Sequence, residues 1–505
     1  MNDTIAFVQT PENIVNLMVS LISENKKNQK SISILDSGCG KGIFLKSLLH
    51  SNFTNIEGIE LSKELYEYCQ KNFPEVNLYN DDYLEWMSLK EYDLIIGNPP
   101  YTHYNSLPKS IRSKVVQIVG NKESDIYYAF ILKSIDLLKE GGELIYIVPY
   151  SFFFNTYAKV IRDKIVNNGI LEIIIDLDET RIFEGENPET LIFKFTKKSV
   201  KPHQKIRILR IKDRKTKHGA IYKKAVEALS NKLENDVFTY YERNMFNHEN
   251  EIWTTYPEKL ISDFFLLKDT CWIGVGLVSG YEQAFTITEE EILKLNENEK
   301  EFLVKAIKSK HCRGFWTEGF ENYLLIDKRI NSEKELKNFP NIYDKLFSFK
   351  ESMAVRYFPA SNKWFHWQAL RNYVKLKSLL AQPKIFVPSL DRSIQNRFSL
   401  TTEPLLPSGD VLTIIPQQKD PFFILGYLNS QFFREYYLSE GGRRGHRISY
   451  TQRIMSNVKI PNFNQETEDS ISKLSKSIFE NKDYSKRKEI DEIISASINY
   501  SSLKI

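Results

Sequence analysis

The chain has 505 residues, 42% of them hydrophobic, and a formal net charge of only +4 from 69 basic and 65 acidic residues. That is too long for one core and predicts two or three domains of an ordinary soluble protein. The four cysteines form no CxxC or CxxH pair, which argues against a zinc site or a disulfide framework and fits a reducing cytoplasm. The N-terminus lacks a signal pattern, and no apolar run approaches the ~20 residues that span a bilayer, so no membrane partner is expected.

Thr10-Pro11 opens the first predicted helix, with Thr10 as N-cap and Pro11 at the first helical position. Ile14, Val15, Met18, Leu21 and Ile22 then recur at helical spacing. From residue 32 onward, strands at 32–36, 55–60, 76–79, 92–97, 143–149, 171–176 and 190–196 alternate with helices at 41–50, 62–72, 125–139 and 156–167. The alternation predicts an α/β fold, a seven-stranded, mostly parallel Rossmann-like sheet with helices on both faces. The rhythm changes after about residue 200. The predicted division is a first domain at 1–240, a mixed α/β domain at 241–460 and a helical tail at 461–505. Charge is uneven. Residues 355–400 hold eight Lys/Arg against Asp391 alone, and residues 201–224 hold ten against Asp213 alone. Such patches fit a polyanionic partner or a solvated basic face.

Two motifs carry chemistry. Asp36-Ser37-Gly38-Cys39-Gly40-Lys41-Gly42 lies between a predicted strand and helix, where glycines let a ligand approach the backbone. Glu60 ends the next strand about twenty residues on, where a carboxylate would accept ribose hydroxyls. Asp82 follows the third. The turn lacks GxGxxG spacing and no P-loop is present, so an adenosine ligand without a pyrophosphate fits better, and S-adenosylmethionine is one. Each acid alone reads as an ordinary surface residue. Three at successive strand ends point to a ligand edge.

Asn98-Pro99-Pro100-Tyr101 follows the fourth strand. The bland reading is a rigid turn with a packed tyrosine. The chemical reading uses every residue. The lone pair of an adenine amino nitrogen is delocalised into the ring. Two fixed acceptors, the Asn98 side-chain oxygen and the Pro99 carbonyl, could each take one N–H and turn the lone pair toward an activated methyl group. Tyr101 offers a stacking face for an extruded base, and the acceptors stabilise the positive charge that develops on nitrogen.

With these motifs the chain resembles the gamma-class, Taq-type DNA adenine-N6 methyltransferases of restriction–modification systems. The resemblance runs from residue 7 to about 200, and more loosely to about 460. It implies that Thr10, in Gln9-Thr10-Pro11, sits on a helix closing over the methionine end of S-adenosylmethionine. Asp36, Gly38, Cys39, Gly40, Gly42 and Phe44 would form the cofactor loop, with Ser37-Gly38 replacing Pro-Ala and Lys41 replacing Ser. Glu60 would bind the ribose, and Asp82-Tyr83 the adenine ring. Ser124 to Phe130 would wall the pocket. Asn98, Pro99, Pro100 and Tyr101 would be catalytic, with Phe183 stacking on the other face of the flipped base. The C-terminal part would be a target-recognition domain on double-stranded DNA, with Arg371, Lys375, Arg392, Arg443, Arg444 and Arg447 as candidate contacts. Gly441 to Arg447 reads as a flexible glycine frame presenting arginines. Trp364-Phe365-His366-Trp367 reads equally as core or as a contact surface.

The expected function is protective methylation of adenine N6. Rival readings are a methyltransferase acting on RNA or on a protein glutamine, the cytosine-N4 variant, and a non-catalytic DNA-binding specificity subunit. With the first motif beginning at Thr10, no N-terminal nuclease domain is expected. A separate restriction endonuclease acting on the same site is the expected partner.

Overall fold

The computed structural model describes residues 9–183, 188–200, 205–248, 252–356, 362–445 and 447–498. Glu184, Lys201 and His446, which belong to stretches read above, lie outside this set. The chain divides into two compact units, Met1–Glu258 and Lys259–Ile505. The predicted limit at 240/241 falls inside a strand, Phe238–Arg243.

The first unit is built on one sheet. Its strands are β1 (Ile34–Asp36), β2 (Ile56–Ile59), β3 (Asn77–Tyr79), β4 (Tyr92–Gly97), β5 (Leu138–Pro149), β6 (Gly169–Asp178), β7 (Thr190–Lys197), β8 (Ile206–Ile211) and β9 (Phe238–Arg243). Their order is β3-β2-β1-β4-β5-β7-β6-β8-β9. Strands β3 to β5 run parallel, while β7 lies antiparallel to both β5 and β6. The sheet therefore has nine strands, not the expected seven. In the added β8, Arg207 and Arg210 interrupt the apolar residues, so the segment reads as part of a basic stretch.

The helices are α1 (Glu12–Ser20), α2 (Glu24–Lys27), α3 (Ile43–His50), α4 (Lys63–Asn72), α5 (Lys109–Val119), α6 (Ile126–Leu137), α7 (Lys159–Asn168) and α8 (His218–Asn231). Successive side chains of a strand point to opposite faces, and the two cores divide on that rule. Leu144, Tyr146 and Val148 of β5 join α5, α6 and α7 on one face. Ile145 and Ile147 join α1, α3 and α8 on the other. Each of these side chains is fully buried, and burying an aliphatic side chain stabilises by roughly 1.5–3 kcal/mol.

The second unit is a mixed α/β body. Cys271–Val275, Val411–Pro416, Lys384–Pro388, Ser399–Thr401 and Cys312–Thr317 form a five-stranded sheet in that order. Helix Pro421–Asn429 packs with Gln465–Asn481 and Arg487–Ser497. Ile471, Ile478, Ile490 and Ile494 of the expected tail are buried in this unit's core. Phe365, His366 and Trp367 are buried as well, with Trp367 Nε1 donating to Leu324 O, so that stretch is core.

Candidate active site

Strand order reverses on either side of β1, and α/β sheets bind ligands at such switch points, outside the carboxyl ends of the strands. A cavity of about 380 Å³ opens there, within the range of roughly 300–1,000 Å³ usual for small-molecule sites. Thr10, Gly38, Cys39, Phe44, Glu60, Asp82, Tyr83 and Asn98 to Tyr101 all line it. Ile126 and Phe130, at the start of α6, complete one wall.

Three expected cofactor residues stand behind the wall instead. Gly42 has φ +73° at the N-cap of α3, and a Cβ there would meet the Phe73 ring at 2.3 Å, so packing and backbone geometry require this glycine. Gly40 serves through its N–H, which donates to Glu60 Oε2 at 2.8 Å. Asp36 is fully buried. Its Oδ1 accepts the Gly38 N–H at 3.4 Å, and its Oδ2 has no hydrogen-bond partner among the described residues. Burial pushes its pKa up to about 8, against the opposing pull of the Gly38 N–H, so the carboxyl is largely protonated at neutral pH.

The two lining acids are held differently. Glu60 takes the Gly40 N–H on one oxygen and the Ser62 N–H on the other, each at 2.8 Å, which fixes the carboxylate at the cavity rim. Asp82 accepts the Leu84 N–H at 2.9 Å through Oδ1 and the Lys114 ammonium at 2.8 Å through Oδ2. Lys114 belongs to α5, which also brings Ile111 to the cavity. The sequence reading missed α5. Its signal was present in Ile111, Val115, Ile118 and Val119 at helical spacing after Pro108.

Tyr83 is anchored by a chain of buried hydroxyls. Its OH meets Ser134 Oγ at 2.8 Å, Ser134 meets Tyr146 OH at 2.8 Å, and Tyr146 meets Ser37 Oγ at 2.5 Å. The chain joins the loop after β1 to the aromatic floor at Tyr83 and Phe130, whose rings lie 4.8 Å apart.

At the Asn-Pro-Pro-Tyr motif, Asn98 Nδ2 donates to Thr10 Oγ1 at 3.0 Å. Thr10 is therefore not the helix cap. Pro11 is the N-cap residue, Glu12 begins α1, and the threonine hydroxyl faces Asn98. Tyr101 OH donates to Ile147 O at 3.0 Å, and burial raises its pKa well above that of a free phenol. This tyrosine offers a ring, not a base. Phe183 is 6% exposed and meets the Tyr101 ring edge to face, 6.1 Å between centroids at 70°. A sandwich needs two parallel faces, so a base entering between these rings would have to turn Phe183 aside.

In the second unit, Arg371, Lys375, Arg392 and Arg444 are exposed, and Arg447 is half-buried. Arg371 lines a groove with Lys328, Arg329, Asn362 and Gln368. Arg443 departs from expectation. It is 4% exposed and its Nε donates to Gly445 O at 2.9 Å, because the glycine frame is a hairpin of Arg443–Arg444 against Arg447–Ser449. Among the described residues no group of three or more His, Cys, Asp or Glu could hold a metal, and no helix is long and apolar enough to cross a membrane.

Comparison with known proteins places this geometry. Residues 16–183 match the family model described as Eco57I restriction-modification methylase. The type II methyltransferase M.MjaIV of Methanocaldococcus jannaschii is 47% identical over 261 residues, which span 50% of this chain and 87% of that protein. M.HindII of Haemophilus influenzae, also a type II methyltransferase, is 29% identical over 530 aligned positions covering 95% of each chain. In fold, the chain is similar to the type IIL restriction-modification enzyme MmeI, solved in complex with DNA, with TM-score 0.66 and 11% identity over 98% of this chain and 73% of that one.

Proposed function

The chain belongs to the type II DNA methyltransferases of restriction–modification systems, and from that premise we propose that it is a gamma-class enzyme methylating the N6 amino group of an adenine flipped out of duplex DNA. S-adenosylmethionine is the family's methyl donor, supplying an electrophilic methyl group carried on a sulfonium. The cavity fits it. Among the described residues, a Cβ at Gly38 would approach nothing but Phe130, at 4.0 Å, leaving the floor open for a ligand. Glu60 is set to accept ribose hydroxyls, Asp82 to accept an adenine N–H, and Tyr83 and Phe130 to wall the ring.

The observation that carries the reading is the Asn98–Thr10 hydrogen bond beside a ring held by its own hydroxyl. With its amide nitrogen committed to Thr10, Asn98 turns its oxygen the other way, as an acceptor for one N–H of the target amine. The Pro99 carbonyl takes the second. The nitrogen lone pair then lies out of the ring plane, and the two fixed acceptors stabilise its growing positive charge without reorganising. Tyr101 stacks on the base, and Phe183 swings to cover its other face. Extrusion costs a few kcal/mol, offset by stacking and by pocket hydrogen bonds. We assign sequence recognition to the second unit, with Arg371, Lys375, Arg392, Arg444 and Arg447 as candidate contacts. A separate endonuclease of the same specificity is the proposed partner.

Sequencing genomic DNA from expressing cells by a method that detects N6-methyladenine, beside an Asn98→Ala control, tests this. Methylation of adenine in one short motif, lost in the control, is the expected result. No N6-methyladenine above the background of non-expressing cells would overturn the adenine assignment.

A further inference from the structure

The basic stretch at 201–224 belongs to the first unit and lies outside the second, to which sequence recognition is assigned. Its described part folds as β8, a loop and α8, and the loop closes a surface groove with the segment after β6. Arg181, Arg214, Lys215, Lys217 and His218 line this groove together with one acid, Glu179. The five basic side chains are exposed. Arg214 pairs with Glu179 at 3.3 Å, and His218 Nδ1 lies 3.3 Å from Asn13 Oδ1. Arg181, Lys215 and Lys217 have no carboxylate within ion-pair distance among the described residues.

The groove is tied to the candidate active site along two stretches of chain. Arg181 precedes the buried Phe183, whose ring meets Tyr101. Asn13, which also donates its amide to His218 O, follows Thr10, the partner of Asn98. Both stretches lead from the groove to Tyr101 and Asn98, the residues assigned above to the extruded base.

We propose that this groove of the methyltransferase unit grips the DNA phosphate backbone beside the extruded nucleotide, through Arg181, Arg214, Lys215 and Lys217. The assignment rests on the reading of Tyr101 as the base-stacking residue. Phosphate contacts of this kind hold the duplex in register without reading its sequence.

The test is a salt titration of full-length protein binding to a random-sequence DNA duplex, for the wild type and an Arg214→Ala/Lys215→Ala/Lys217→Ala variant. All three positions are exposed and outside both cores, so S-adenosylmethionine binding should be unchanged, and it is measured in parallel as the check on folding. Each lost phosphate contact lowers the slope of log K against log salt by about 0.9, so the variant should show a slope smaller by about 2 to 3. Arg181→Ala alone should remove about one further contact. An unchanged slope and affinity would overturn the proposal. Neither outcome depends on which base is methylated, so a failure of the adenine assignment would leave the slope difference intact and be recognised separately.

Discussion

Asn98 Nδ2 donates a hydrogen bond to Thr10 Oγ1 across 3.0 Å, joining two residues 88 positions apart. The bond fixes which way the amide faces. A misplaced acceptor costs much more in rate than in binding, and a shift of about 1 Å can cost 10²-fold. Thr10→Val, which keeps the shape and removes the hydroxyl, should therefore lower kcat by about 10- to 100-fold with little change in KM for the cofactor. Thr10→Ser should recover most of the loss. Steady-state kinetics of methyl transfer on plasmid DNA check both.

Lys114 holds Asp82 from α5 at 2.8 Å, and both groups are mostly buried. Burial alone would lower the lysine's pKa, but the hydrogen bonds and charges of Asp82 and Glu85 outweigh it and raise the value, so the ammonium stays charged through the neutral range. Replacing Lys114 with Met frees Asp82 to move away from the cavity. An ion pair of this type is worth up to about 1 kcal/mol, so KM for S-adenosylmethionine should rise about fivefold while kcat holds. Isothermal titration of cofactor into the variant gives the same comparison without DNA.

Tyr101 separates its ring from its hydroxyl. Tyr101→Phe loses one neutral hydrogen bond, worth about 1 kcal/mol, and should reduce kcat/KM for DNA about fivefold. Tyr101→Ala loses the stacking face, worth roughly 1–3 kcal/mol per base, and should reduce it by up to about 100-fold. Equal effects in the two variants would place the role in the hydroxyl.

Asp36 makes stability depend on pH. Its folded pKa, about 8, lies above the ordinary aspartate value of 3.8, so the native state holds its proton more tightly than the unfolded chain does. The stabilisation associated with the bound proton is complete below pH 4 and is lost as pH rises through 8. Asp36→Asn keeps an acceptor for the Gly38 N–H and removes the titration. Between pH 5 and pH 8 the variant should gain a few kcal/mol relative to wild type, about 1.4 kcal/mol for each pH step of one. Urea denaturation at the two pH values measures the gain.

The first unit was legible in the sequence wherever structure is local. Strands β1 and β4 to β7 announce themselves as largely apolar runs, and Asn98 to Tyr101 sits at a strand end that its own prolines enforce. Reading failed where long-range contacts decide. Thr10-Pro11 has the composition of a helix cap, and only the fold reveals that the hydroxyl serves Asn98. Gly42 looked like a ligand glycine and proved to be required by Phe73. Arg443 looked exposed, and its burial comes with a hairpin that pairs in turn with the distant Leu390–Asp391. In the second unit the strands are short and pair with distant ones, as Cys271–Val275 does with Val411–Pro416, so periodicity had too few residues to register.

The most direct measurement is the chemical identity of the product. Purified protein is incubated with unmethylated plasmid DNA and S-adenosylmethionine carrying a labelled methyl group, and the DNA is digested to nucleosides and separated by mass spectrometry. The account predicts label in N6-methyldeoxyadenosine alone, reduced to background by Asn98→Ala. Label in a methylated deoxycytidine, or transfer undiminished in the Asn98→Ala protein, would contradict it.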